Sequence, residues 1–161
     1  MIKFKYVVLI VLLSNALHAT AQKSKRNKLV GIWQVGSAMA GDAMHSNYRF
    51  FSDGTFKYTF NQYDDMGRIM AAKGNYKLKA DTLYLIIKTR TERIGGDLVG
   101  GSPGFQQEEL VLEGDKMVEI KQKNQSPIPF VIKWFKKNGT RGFELQNNKY
   151  YLVSANLHSG D

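Results

Sequence analysis

His45 and His158 are the two histidines beyond the first twenty-one residues, and neither has a carboxylate at metal-ligand spacing. With no cysteine in the chain, thiol catalysis, disulfide exchange and cysteine-ligated metals are excluded. A serine nucleophile wants a Gly-x-Ser-x-Gly elbow between strand and helix, and Gly101-Ser102-Pro103-Gly104 shares only its composition. Asp64-Asp65 and Glu108-Glu109 are paired carboxylates. Neighbours on a strand point to opposite faces, however, and those in a turn are solvated, so neither pair makes an acid/base couple. Residues 94–104 hold five glycines in eleven positions. A phosphate loop would also need a following helix and a Gly-Lys-Ser/Thr ending, and both are missing here. The residues assign no catalytic group, no metal ligand and no cofactor, and the expectation is a protein that is not an enzyme.

The remaining candidates are aromatic. Trp33, Tyr48, Phe50, Phe56, Tyr58, Phe60, Tyr76 and Trp134 recur on the apolar side of alternating segments. Such rings either fill a core or line a cavity. Several carry a hydroxyl that needs a partner when buried, which suits a small, largely apolar ligand with a few polar handles. The candidate ligand-binding residues are therefore Tyr48, Phe50, Phe56, Tyr58, Tyr76 and Trp134.

These side chains must be positioned by strands. Residues 48–60 alternate aromatic and polar residues around Asp53-Gly54, the signature of a hairpin. A two-residue loop would set Phe50 opposite Lys57. A three-residue loop, Ser52-Asp53-Gly54, sets Phe50 opposite Phe56 and Tyr48 opposite Tyr58. The apolar pattern favours the second register, with Gly54 left-handed in a bulge. Ala80-Asp81 should turn Ile69–Lys79 into Thr82–Arg93, with Leu78 opposite Leu83 and Tyr76 opposite Leu85. Residues 94–104 are expected to be a loop, and a flap over a cavity mouth is one role for it. Strands are expected at 105–113 and 116–123 around a Gly114-Asp115 turn, then at 130–136 after Pro127 and Pro129. Two-residue loops at Asn138-Gly139 and Asn147-Asn148 would set Trp134 opposite Phe143, Ile132 opposite Leu145, Leu145 opposite Tyr150 and Phe143 opposite Leu152. The predicted fold is all-β: a single antiparallel up-and-down β-barrel of 8–10 strands, with a two-sheet sandwich as the alternative.

Residues 1–21 read as a secretory signal peptide: Lys3 and Lys5, an apolar run from Tyr6 to Leu13 that is short for a membrane span, then Ala19-Thr20-Ala21. No cysteine follows for lipid attachment, so the expected location is periplasmic or secreted. A basic tether at 22–28 precedes a domain over 29–157 and a tail over 158–161. The chain holds 23 Lys+Arg and 14 Asp+Glu, a net charge of +9. Removing Lys3 and Lys5 leaves +7, and removing Lys23, Lys25, Arg26 and Lys28 of the tether leaves about +3. Nucleic acid is not an expected partner, because the excess sits in a tail rather than on a folded face. Peripheral contact of the tether with an anionic envelope surface is the expected use of that charge. The oligomeric state is not specified by the sequence.

Gly31-Ile32-Trp33 resembles the lipocalin Gly-x-Trp, and Phe50-Phe51-Ser52-Asp53-Gly54-Thr55-Phe56 resembles a hairpin of bacterial secreted lipocalin-like domains. Gly74-Asn75-Tyr76 followed by Asp81-Thr82-Leu83-Tyr84-Leu85 is similar to a later stretch of the same domains. The resemblance covers residues 29–87. It implies a calycin-like barrel whose cavity takes small hydrophobic molecules, with Trp33 as a plug at the base and Gly31, Asp53 and Gly54 in structural roles. The family's Thr-Asp-Tyr motif is missing, and its late partner arginine has no clear counterpart. The resulting expectation is a lipocalin-like binder of a small apolar ligand. The alternative is a packed-core barrel acting as an interaction module at the cell envelope.

Overall fold

The computed structural model describes residues 27–39, 45–61, 64, 67–100, 110–155 and 157. The expected signal peptide over 1–21, residues 22–26 of the expected tether, residues 101–109 and the 158–161 tail lie outside them. Among the described residues ten strands run in chain order: β1 Gly31–Val35, β2 Asn47–Phe50, β3 Thr55–Thr59, β4 Ile69–Lys79, β5 Thr82–Gly100, β6 Leu110–Lys121, β7 Ile128–Val131, β8 Lys133–Lys137, β9 Thr140–Leu145 and β10 Asn148–Ser154. All pairings are antiparallel. No helix occurs among the described residues.

The aromatic hairpin has the register that its apolar pattern requires. Phe50 faces Phe56 and Tyr48 faces Tyr58. Asp53 Oδ1 accepts from the Thr55 N–H at 2.8 Å and from the Thr55 hydroxyl at 2.7 Å. Gly54 turns at φ +84°, a conformation that strains any residue with a Cβ. Leu78 faces Leu83 and Tyr76 faces Leu85, as the Ala80-Asp81 turn predicts.

The strand order is β6-β5-β4-β3-β2-β1-β10-β9-β8, with β7 pairing β5 off that path. The architecture is an antiparallel up-and-down sheet that is not closed into a barrel, which corrects the expected closure. The reason lies at Ile132. β7 pairs with β5 and β8 pairs with β9, while the Ile132 N–H between them goes to the Asp81 carbonyl oxygen at 2.8 Å. The chain thus passes from one ladder to the other without joining them. Side chains from both ladders still share one core, including Trp33, Phe50, Leu83, Ile132 and Phe143.

Three further expectations are corrected. Residues 94–100 are not loop but the end of β5, paired with β6 from Ile94↔Lys116 to Gly100↔Leu110. Gly114-Asp115 is not a turn between strands. It lies inside β6, where Gly114 at φ +77° stands across from Gly96 at φ +75°, so both strands distort together and the ladder continues. The last hairpin turns at Gln146-Asn147, both left-handed at φ 48° and 67°, one residue earlier than expected. Leu145 therefore faces Asn148 and Phe143 faces Tyr150. That slip changes each pairing by two residues, so every apolar side chain keeps its face. Trp134 faces Phe143 as expected, whereas Ile132 enters no ladder opposite Leu145.

Gly31 and Trp33 anchor one end of the core. A Cβ on Gly31 would drive into the Ser154 carbonyl oxygen, so the close β1–β10 approach requires glycine. Trp33 is fully buried and its Nε1–H donates to the Leu29 carbonyl at 2.6 Å. Phe143 and Trp134 pack on its ring at 5.1 and 5.9 Å. The Arg141 guanidinium stands over the same ring at 5.9 Å. No spacing in the chain points to this arginine, because β9 reaches β1 only through β10.

Candidate functional site

Across β1 to β5, Trp33, Tyr48, Tyr58, Ala72 and Arg90 occupy directly opposed positions. Four of these five side chains are large, and Ala72 is the gap. Beside it lies a cavity of about 270 Å³. Tyr48, Phe56, Tyr58 and Tyr150 form its aromatic wall, and Leu85, Ile87, Phe130 and Leu145 its aliphatic and aromatic counterpart. Ile128 of β7 stands at this cavity and is exposed, while Gln146 and Asn148 bring amide groups from the last hairpin. None of the described residues lining it is charged.

The polar handles are tyrosine hydroxyls. Tyr48 lies 4.3 Å from Tyr58 and 5.3 Å from Tyr150, ring centre to ring centre. Burial, reinforced by Tyr58, pushes the Tyr48 hydroxyl well above its ordinary range. Burial does the same to Tyr150, helped by Tyr58 and Tyr48 and by its hydrogen bond with Tyr58. Both hydroxyls are neutral at physiological pH and offer a donor and an acceptor without charge. Such a wall is chemically suited to a neutral, largely apolar molecule with one or two polar atoms. At about 270 Å³ the cavity lies just below the usual range of about 300–1,000 Å³ for ligand pockets, so it has room only for a small molecule.

Of the candidate ligand-binding residues, Tyr48, Phe56 and Tyr58 come together at this cavity. Phe50, Tyr76 and Trp134 do not line it. Phe50 is fully buried and packs edge-on against Tyr76 at 4.8 Å. Tyr76 donates to the Phe51 carbonyl at 2.8 Å and accepts from Asn27 Nδ2 at 3.0 Å. Burial and secondarily the Asp53 carboxylate push its hydroxyl up to about 12. Trp134 packs on Trp33. Sequence reasoning missed Tyr150, whose apolar-face position was legible but whose neighbours depended on the last turn's register. It also missed Ala72, since a small residue announces a gap only when its cross-strand neighbours are known.

Among the described residues no group of three or more His, Cys, Asp or Glu could hold a metal ion. Comparison with protein families, with curated proteins and with solved structures finds no match for this chain.

Proposed function

We propose that the protein is an exported, lipocalin-like β-sheet protein that binds a small, neutral, largely apolar ligand without reacting with it. The observation that carries the reading is the uncharged cavity of about 270 Å³ walled by Tyr48, Tyr58 and Tyr150. Tyrosine hydroxyls among aliphatic walls fit recognition by burial plus one or two hydrogen bonds. The up-and-down strand order and the arginine over Trp33 support the lipocalin-like part, the latter supplying the late partner arginine that the resemblance asks for. Residues 1–21 support export.

The test is a titration with N-phenyl-1-naphthylamine, a neutral fluorophore that brightens in apolar surroundings. Saturable brightening is expected, nearly constant between about 0.05 and 0.5 M salt because no ion pair is involved. Ile128→Glu places a charge at the exposed cavity edge and should abolish the signal with little change in the Tm. Absence of brightening in the native protein would sink the proposal and leave the packed interaction module in its place.

A further inference from the structure

The outer face of the same sheet carries a row of cations beside a depression. Arg49 of β2, Lys57 of β3 and Lys73 of β4 stand directly opposite one another on successive strands. Like charges in opposed positions destabilise a sheet. β5 adds a fourth cation through a bulge: Thr89 pairs with Lys73 and Ile87 with Gly74, so Lys88 is the extra residue. A bulge re-aims its side chains, and Lys88 and Thr89 both line the depression in front of Lys73.

That depression has a volume of about 470 Å³, and Lys57, Lys73 and Lys88 converge on it with Thr55, Asn75 and Thr89. Among the described residues, the carboxylate paired with its lysines is Glu119 of β6, 3.0 Å from Lys73 with both side chains half exposed. Among the described residues, Lys57 and Lys88 have no carboxylate within ion-pair distance. Three ammonium groups against one carboxylate leave two positive charges uncompensated. Next in the row, Arg49 has a buried Nε without a hydrogen-bond partner.

We infer that this depression binds the phosphoryl group of a small soluble phosphomonoester. A phosphate monoester carries about −1.5 to −2 charge near neutral pH, which matches the two uncompensated charges. Its terminal oxygens accept from ammonium groups, and the threonine hydroxyls and the Asn75 amide are uncharged donors beside them. Phe51, also in the lining, offers an apolar surface to the organic part of the ester. The site shares only Phe56 with the lining of the inner cavity and does not depend on that reading.

The test is calorimetric titration of the protein with phenyl phosphate at near-physiological salt. Binding is expected, weakened about tenfold by Lys57→Gln and by Lys88→Gln, since each removes a charged donor. Lys136→Gln on β8 removes an exposed lysine far along the strand order and should leave the affinity unchanged. The Lys57 and Lys88 variants should keep or raise the Tm, because each relieves repulsion. Three results would overturn the inference: no heat with phenyl phosphate, equal weakening by Lys136→Gln, or capture by phosphatidic acid vesicles without binding of phenyl phosphate.

Discussion

Tyr48, Tyr76 and Tyr150 are held neutral by burial, and this has a consequence for alkaline stability. An unfolded tyrosine ionises near 10. Tyr76 in the fold ionises at about 12, and Tyr48 and Tyr150 are raised as well. The native state therefore keeps protons that the unfolded chain gives up. Their contribution is whole below about pH 10 and is lost as pH rises through the folded values. Urea midpoints measured at about pH 9 and pH 11 should fall at the higher pH, and Tyr48→Phe should reduce the fall. An equal fall in the variant would mean that other groups, not the buried hydroxyls, drive alkaline unfolding.

At the scale of the element, the distinctive feature is the ribbon formed by the end of β5 and the start of β6. The β4 ladder accompanies β5 as far as Glu92 and the Arg93 N–H still reaches the Arg68 carbonyl, so Ile94–Gly100 pairs with β6 alone. A two-stranded ribbon is marginally stable by itself. Arg93 clamps it: Nε and Nη2 donate to the two Asp115 carboxylate oxygens at 2.7 and 3.0 Å, and Nη2 also reaches the Leu112 carbonyl. The guanidinium holds the Asp115 carboxyl below the usual carboxylate range. Arg68 ties the base by donating to the Gly95 carbonyl at 2.7 Å. Arg93→Gln should speed amide hydrogen exchange in 95–100 and 112–115 while leaving the global unfolding midpoint in place. Unchanged exchange would show that the ladder holds without its clamp. Glycine content made this segment read as a loop, since left-handed glycines are equally at home in loops and in paired bulges.

For the whole molecule, the question is what ties the two ladders together. Ile132 is buried at the junction of β7 and β8, and its N–H reaches the β4–β5 turn. Ile132→Ala removes packing where two ladders meet, and should destabilise by about 2–5 kcal/mol in urea unfolding. A loss below about 1 kcal/mol would mean that the core is held without this junction. One arrangement of strands also separates the two proposed sites. Period-2 alternation sends tyrosines to the inner face of β2, β3 and β4 and Arg49, Lys57 and Lys73 to the outer face, so one binding event should be indifferent to salt and the other sensitive to it.

The alternation of residues 48–60, the Asp53-Gly54 turn and the Ala80-Asp81 turn determined strand identity, hairpin register and the inward faces of Tyr48, Phe56 and Tyr58. These are local properties, fixed by side-chain period and turn chemistry over a few residues. Contacts between distant segments were decided only in the tertiary structure. Among them are Arg141 over Trp33, Tyr150 beside Tyr58, the gap at Ala72, the meeting of Lys57 with Lys88 and the failure of the two ladders to join at Ile132. Each depends on which strands become neighbours and on single-residue bulges. The packing of the whole sheet settles those, and no short stretch of sequence encodes them.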